Sequence, residues 1–187
     1  LSFTQPRRAA VAVLIATVLG VGGYVASLDL KIGDLDPGAP ELRADSRYNL
    51  DNAYITAHYG LSSDLFAVMV KTPSEGCLNY ETLVLADRLA WELQQLPSVQ
   101  TTVSLPDAVR KVTLGSNEGN PKFFSIQRNQ DTLNYAAQQT SVNNPELLNT
   151  DCSLTPVIAY LRDHKAETLD EVVAVADRFA RANSSEQ

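Results

Sequence analysis

The chain has 187 residues, of which 44% are hydrophobic and 20% are charged, so it has enough apolar material for a folded core. Its formal net charge is −7, and the acidic residues are dispersed along the chain. So acidic a protein is repelled by nucleic acid and by anionic lipid headgroups, and we expect neither as a partner. Because the chain begins with Leu, we expect it to be a fragment of a longer protein.

The N-terminal stretch Ala9–Leu28 contains no charged residue. A helix of that length rises roughly 30 Å, which is the thickness of the hydrocarbon core of a bilayer. Arg7 and Arg8 precede the stretch and Asp29 follows it, and Lys or Arg beside a span marks its cytoplasmic end. The prediction is a cytoplasmic flank over residues 1–8, a transmembrane helix over 9–28 and a periplasmic domain over 29–187.

Small residues interrupt this apolar stretch, among them Gly20, Gly22 and Gly23. They lower helix propensity, but small residues also allow membrane helices to pack closely against one another. We therefore favour a retained helix that lies within a bundle of membrane helices. The alternative is a signal peptide that is cleaved after Ser27, and both interpretations place the rest of the chain outside the cytoplasm.

Next come Leu30–Ile32, which predict the start of a strand, and a turn over residues 33–40 that holds two Gly and two Pro. After this turn, apolar residues recur with the period of a helix. They predict a helix over residues 46–59, with Asp45 or Ser46 as its N-cap. The recurring residues are Leu50, Ala53, Tyr54 and Ala57.

A βαβ unit is predicted over residues 65–105. Residues 65–70, LFAVMV, form a continuous apolar run, which predicts a strand that is buried on both faces. A helix over residues 80–96 follows, and a second strand covers residues 99–105. The helix has one apolar stripe, made of Leu83, Ala86, Leu89, Ala90, Leu93 and Leu96.

The rest of the chain predicts a second βα unit. Helices over residues 106–115 and 129–139 flank a polar loop, and a strand over residues 154–161 follows. Pro156 should push that strand to a sheet edge or into a bulge, because proline lacks the N–H of the ladder. Thr168–Glu171 form a capping box that predicts the start of the last helix. The expected buried residues of this helix are Leu169, Val172, Val173, Ala176, Phe179 and Ala180.

Two such units side by side predict an α+β fold of the ferredoxin-like type, which is an α/β sandwich. The second unit lacks the strand that would complete it. We therefore expect that strand to follow Gln187, so that the domain is incomplete at its C-terminal end.

Cys77 and Cys152 are the only cysteines of the chain. The predicted topology places both in an oxidising compartment, and each lies close to the end of a predicted strand. We therefore predict a disulfide between them. Two buried free thiols or a redox pair are the alternatives, although cysteines so far apart do not form a Cys-x-x-Cys motif.

No pattern in the sequence indicates catalysis. Neither His58 nor His164 lies in a cluster with the spacing of metal ligands. The sequence also has no nucleophile elbow, no phosphate-binding glycine loop and no zinc-protease motif. We expect a protein that is not an enzyme and that has no cofactor and no metal site.

Several stretches, in chain order, resemble exporters of the resistance–nodulation–division (RND) superfamily, in its MmpL-like branch that exports hydrophobic molecules. Together they are spread over most of the length of residues 28–180, which is far more specific than one short motif. The stretches are Leu30–Asn49, Ser62–Asp64, Asn117–Lys122, Arg128–Gln130 and Asp163–Ala166. They resemble the second half of such a transporter, with its seventh membrane helix followed by its second large periplasmic porter domain.

The resemblance implies a fragment of a proton-driven pump in the bacterial inner membrane, with residues 29–187 forming a substrate-conducting periplasmic domain. The implied partners are the remaining membrane helices and the first periplasmic domain of the same transporter, and a hydrophobic or amphiphilic substrate. The question of a homo-oligomer stays open. The acidic residues of the proton relay would lie in other membrane helices, outside this chain.

Phe123 and Phe124 are candidate substrate-contact residues, because they are adjacent aromatics in an otherwise polar loop of a domain that should pass an amphiphile. The alternative is that they only attach this loop to the core. For the whole chain, the alternative function is a free-standing periplasmic binding or scaffolding protein with a cleaved signal peptide. A secreted hydrolase is disfavoured, because the sequence has no nucleophile–base motif.

Overall fold

The structure, a computed structural model, describes residues 5–28, 39, 41–59, 62 and 64–183. The chain divides into two compact units, Leu1–Gly33 and Asp34–Gln187. The predicted start of a strand at Leu30–Ile32 and most of the turn after it lie outside the described residues. The strand expected beyond Gln187 lies outside them as well.

The first unit contains one long helix among its described residues, α1 (Pro6–Leu28). It has 23 residues, a mean hydropathy of 2.2 and no buried residue. In the described part of the chain, it is the one helix that is long and apolar enough to cross a membrane. A helix with these properties near the N-terminus fits a membrane span or a signal sequence.

The second unit is an α+β domain with a three-stranded antiparallel sheet. Its described helices are α2 (Arg47–His58), α3 (Tyr80–Gln94), α4 (Leu105–Ser116), α5 (Gln130–Asn143) and α6 (Ala166–Asn183). Its strands are β1 (Leu65–Lys71), β2 (Val99–Ser104) and β3 (Leu154–Leu161). Short 3₁₀ turns lie at Gly76–Leu78, Pro121–Phe123 and Pro145–Leu147.

The last strand, β3, lies in the centre of the sheet. It pairs antiparallel with β1 on one side and with β2 on the other, so the order is β1-β3-β2. β1 and β2 therefore run in the same direction without being neighbours. The predicted unit over residues 65–105 exists as strand, helix and strand, but β3 separates its two strands.

The prediction that Pro156 puts its strand at a sheet edge is wrong for β3 as a whole, because β3 is central. Pro156 pairs with Met69 of β1, and it lies just beyond the last β2 pairing, which joins Ser104 to Val157. At Pro156, β3 therefore has a neighbouring strand on one side only. Proline occupies a position that is locally an edge, as its missing N–H requires.

Two apolar clusters hold the domain together. α3 and α6 pack on one face of the sheet, and the start of α3 also packs against α4 and α5 beside the cysteines. The first cluster contains Ala86, Leu89, Ala90, Leu93, Val99, Val157, Ala159, Leu161, Val172, Val175 and Phe179. The second contains Cys77, Leu83, Leu105, Val109, Leu133, Ala136 and Cys152. The predicted stripe of α3 is confirmed from Leu83 to Leu93, since all five of these residues are buried. The helix ends at Gln94, so Leu96 follows it and is partly buried.

The start of α6 differs from the prediction. The helix begins at Ala166, before the predicted capping box, so Thr168 lies inside it. The Thr168 hydroxyl donates a 2.6 Å hydrogen bond to Asp163, and the Lys165 N–H donates one of 3.2 Å to the same carboxylate oxygen. Val172 and Phe179 are buried as predicted and Val175 is buried as well, whereas Val173, predicted to be buried, is 41% exposed, and Ala180, also predicted to be buried, is exposed.

β1 is not buried on both faces, contrary to the prediction. Phe66, Val68 and Val70 pack against the core, whereas Leu65 is 57% and Met69 is 53% exposed. Among the described residues, β1 pairs with β3 alone and is an edge strand. The strand is therefore apolar on two faces, of which α3 and α6 cover one.

Candidate functional site

The face of the sheet opposite α3 and α6 carries mostly apolar side chains. The pairing register places Tyr160 beside Leu65 and Thr101 on this face, and Leu65 and Met69 are more than half exposed. Along a strand with one face in water, polar side chains on that face normally alternate with apolar side chains on the core face. An apolar outer face therefore indicates contact with something apolar. We call this surface the open sheet face; the pairing register assigns to it Leu65, Ala67, Met69, Lys71, Thr101, Val103, Leu154, Pro156, Ile158 and Tyr160, of which Lys71 is charged and Pro156 is buried.

A groove of about 480 Å³ lies where the outer edge of β1 meets α3 and α6. Its apolar lining includes Val68, Val70, Leu85, Leu89, Ala176 and Phe179. In the described part of the chain no strand pairs with this edge of β1, so the edge presents unpaired backbone N–H and C=O groups. The groove can therefore accept an extended segment that combines backbone hydrogen bonds with apolar side chains.

A polar cleft of about 840 Å³ lies next to the cysteines. Its charged and amide-bearing lining residues are Glu75, Asn79, Gln130, Asn134, Gln138 and Asp151. Among the described residues no Lys or Arg lines it, so its electrostatics favour an uncharged polar ligand or a cation over an anion.

Cys77 and Cys152 form a disulfide, with their Cα atoms 5.3 Å apart and both residues buried. Backbone hydrogen bonds of 2.8–3.0 Å join the two flanking segments: Thr72 N–H to Ser153, Glu75 N–H to Asp151, and Cys77 N–H to Cys152. These bonds continue the pairing of β1 with β3 beyond the ends of both strands. A disulfide of this kind is typical of an oxidising compartment.

Phe123 and Phe124 lie at the turn that follows α4 and are 38% and 45% exposed. The Arg110 guanidinium lies 5.5 Å from the centre of the Phe124 ring, a cation–π contact. Neither phenylalanine lines the groove or the polar cleft. Phe124 is therefore attached to α4, while Phe123 has no such contact with Arg110.

Arg110 also joins α4 to α3. It donates a 2.6 Å hydrogen bond to Asp87, and both side chains are less than one third exposed. This hydrogen bond raises the pKa of Arg110 above its ordinary value, although burial acts in the opposite direction. The guanidinium therefore stays charged, and the contact fixes the loop of Phe124 relative to the core.

The open sheet face was not predicted from the sequence. The signal was present, because β1 and β3 both carry apolar residues on their two faces, as with Ala67 and Val68 or Val157 and Ile158. The helices that pack on the sheet, α3 and α6, cover only one of its faces. When strands are apolar on both faces of a sheet and helices cover only one of those faces, the other apolar face stays uncovered.

The chain was compared with protein-family models, with curated proteins and with solved structures, and nothing matches it. Within residues 5–28, 39, 41–59, 62 and 64–183, no three His, Cys, Asp or Glu side chains are grouped so that they could hold a metal ion. The function is therefore inferred from the residues and geometry of this chain.

Proposed function

We propose that this chain is part of a proton-driven RND-type transporter that exports lipids or other hydrophobic or amphiphilic molecules. In this proposal α1 is retained in the inner membrane, and the disulfide-bonded α+β domain lies in the periplasm and conducts substrate. The remaining membrane helices and the first periplasmic domain of the same transporter are its partners. The observation that carries the proposal is the open sheet face, an apolar surface on a domain tethered to an apolar helix.

An amphiphile that leaves a bilayer needs a protein surface that keeps its apolar part out of water. Leu65 and Met69 are exposed, and Ile158 and Tyr160 lie beside them, half-buried. Removing roughly 100 Å² of apolar surface from water contributes about 2.5 kcal/mol. A contact of that strength binds an apolar tail weakly and reversibly, and a surface that conducts substrate requires such reversible binding.

The proposal includes a ferredoxin-like arrangement of the domain. That fold has the order β-α-β-β-α-β. β1-α3-β2 and β3-α6 supply all but its last strand, with α4 and α5 inserted between β2 and β3. The central position of β3, the shared face of α3 and α6, and the groove along the outer edge of β1 support this arrangement. The missing strand would pair with β1 in that groove.

A longer chain tests the arrangement. Extending the protein beyond Gln187 by about 30 residues, enough for one strand and its turn, should raise the melting temperature because an exposed edge becomes paired. The same extension with two prolines in the added strand is the control, since proline cannot complete the ladder. An equal melting temperature for the two extended proteins would contradict the ferredoxin-like arrangement.

The conducting role is tested in the full-length transporter with Leu65→Ser combined with Met69→Ser. Cells that carry this variant should retain several-fold more of a lipophilic fluorescent dye at a normal protein level, because both side chains are exposed and not needed for the core. Val142→Ser, at a 76% exposed position on α5, is the matched control and should export normally. An uncoupler that collapses the proton gradient should stop export by the unmodified protein. Normal export by the double variant would contradict the conducting role of this face.

Phe123 and Phe124 are a separate candidate contact with the substrate within this proposal. Because Arg110 already holds Phe124, Phe123 is the better probe of the two. In the same assay Phe123→Ala should lower export without lowering the melting temperature. Normal export together with a lower melting temperature would indicate that both rings only attach the loop to the core.

A free-standing periplasmic binding protein is the second candidate function, and the polar cleft of about 840 Å³ favours it. Under this function α1 is a signal peptide that is cleaved after Ser27. The intact mass of the protein taken from the periplasm distinguishes the two functions. A mature chain that starts at Leu28 would support the binding protein, and a retained α1 would support the transporter.

A further inference from the structure

The polar cleft beside the disulfide contains two carboxylates that lack a positively charged partner. Glu75 and Asp151 line it from the two segments that the disulfide joins, and a 2.8 Å backbone hydrogen bond connects them. In the part of the chain that the structure describes, neither carboxylate forms an ion pair. The Asp151 carboxylate accepts hydrogen bonds from Asn149 and Ser153, both through Oδ1, so Oδ2 remains able to accept. The two carboxylates therefore favour a positively charged ligand.

Hydrogen bonds within the lining of the cleft use many of its donors. The Gln130 side-chain N–H groups donate to the Leu78 carbonyl oxygen at 3.3 Å and to the Asn134 side-chain oxygen at 2.9 Å. The Ser141 hydroxyl donates to the Gln138 carbonyl oxygen at 2.8 Å. A carboxylate only accepts hydrogen bonds, so with these donors in use the lining offers more acceptors than donors. A ligand that is rich in N–H donors suits such a lining.

The cleft also has an apolar wall, which a metal ion would not use. Leu78, Ala137 and Leu148 line this wall, and Leu78 and Leu148 pack against the second apolar cluster. Methylene groups of a ligand can cover these side chains and leave water. Two carboxylates are too few to hold a bare divalent cation, and no metal-binding group of three such side chains occurs among the described residues. The cation that fits the cleft is therefore an organic one.

The cleft is formed before a ligand binds. The disulfide and a 3.0 Å backbone hydrogen bond join Cys77 to Cys152 at its base. Gly76 packs so tightly that a Cβ atom at this position would lie 2.8 Å from the Cβ atom of Thr72. A site that is already ordered loses less conformational entropy when it binds a ligand.

We propose that the polar cleft binds an aliphatic amine, whose ammonium group lies at the carboxylates of Glu75 and Asp151. Its methylene groups lie along Leu78 and Leu148. The ammonium group donates charge-assisted hydrogen bonds, which are stronger than those between neutral groups. This inference names the ligand class of the cleft that favours the second candidate function. It requires neither a retained α1 nor transport along the open sheet face.

The test uses calorimetric titration of the full chain in an uncharged detergent with three ligands of equal chain length. These are pentane-1,5-diamine, pentane-1,5-diol and pentanedioate, which differ in the charge of their end groups. Glu75→Gln removes one carboxylate of the cleft and keeps a polar side chain of similar size. Glu118→Gln is the matched control, because Glu118 is exposed, does not line the cleft and has a similar left-handed backbone, with φ of 57° against 62° at Glu75.

The diamine should bind, the diol should bind at least about tenfold more weakly, and pentanedioate should not bind. Glu75→Gln should weaken binding of the diamine about tenfold, because a hydrogen bond to a charged group is lost. Glu118→Gln should leave binding unchanged.

Three results would overturn the proposal. Equal binding of the diamine and the diol would show that the ammonium charge is not recognised. An equal effect of Glu75→Gln and Glu118→Gln, or no effect of either, would mean that the diamine binds elsewhere on the acidic surface. Absence of binding by all three ligands would remove the site. The transporter proposal would survive each of these results, because the export assay with Leu65 and Met69 variants tests it separately.

Discussion

α2 and α3 have the same apolar period in sequence, but only α3 buries its apolar residues. Leu89 and Leu93 of α3 are 3% and 0% exposed, whereas Leu50 and Tyr54 of α2 are both 59% exposed. α3 connects β1 to β2, so the chain brings it back onto the sheet. α2 precedes the first described strand and has no such connection. Periodicity shows which residues share a face, and the neighbouring elements decide whether that face is covered.

The two helices should consequently differ in how they are stabilised. α3 depends on apolar burial in both clusters, so its stability is that of the whole domain. α2 depends on the Ser46 cap and on the hydrogen bonds of Asn49, so it should open locally without unfolding the core. Variants that act on one helix and not on the other test this difference.

The largest effect should come from the disulfide, whose Cys77 belongs to the same cluster as Leu83 of α3. Cys77→Ser combined with Cys152→Ser should lower the free energy of unfolding by about 4 kcal/mol, because the bond restricts the unfolded chain over a separation of 75 residues. Urea unfolding followed by circular dichroism measures the loss. Hydrogen exchange of the α2 amides should not change. Faster exchange confined to α2, with an unchanged free energy of unfolding, would contradict the proposed difference between the two helices.

The next effect separates two leucines on the two helices. Leu93→Ala should cost about 3 kcal/mol, because it opens a cavity in the first cluster at a position that is 0% exposed. Leu50→Ala, at a 59% exposed position, should change the free energy of unfolding by less than about 0.5 kcal/mol. Both are measured in the same urea titration. A comparable loss for Leu50→Ala would mean that α2 belongs to the cooperative core.

The smallest effect should be confined to α2. Ser46→Ala removes the hydroxyl that caps the helix, which should cost about 1 kcal/mol of helix stability. Faster hydrogen exchange of the α2 amides, with an unchanged melting temperature of the domain, is the expected result. Ser46→Asp keeps a capping oxygen and should restore slow exchange. A fall in the melting temperature would show that α2 and the core unfold together.

Helices and strands could be predicted from sequence because their signals are local. Leu83, Leu89 and Leu93 recur at the spacing of one helix face, and their burial follows from that spacing. The end of β2 and the start of α4 follow from Pro106, which fits the first turn of a helix. The start of α6 could not be predicted in this way, because the Asp163 carboxylate accepts hydrogen bonds from both the Lys165 N–H and the Thr168 hydroxyl, so Thr168 is a partner of Asp163 and not the N-cap.

The candidate surfaces could not be predicted, because they depend on the order of strands and layers. Whether Leu65 and Met69 are buried depends on which elements lie across the sheet from α3 and α6, and no local pattern encodes that. The same holds for Pro156, whose position becomes acceptable only because β2 ends at Ser104. The disulfide could be predicted as a pair, because the chain offers no other cysteine.

The disulfide also makes the sheet mechanically unequal at its two ends. The chain from α2 enters β1 at Leu65, whereas the covalent bond lies just beyond the opposite end, past Lys71 and Leu154. A pull applied to the chain before β1 therefore loads the hydrogen bonds between β1 and β3 one at a time, which needs little force. The separation of β1 from β3 stops at the disulfide. The two strands therefore stay in register and can pair again. The domain should yield under tension and recover when the tension ends.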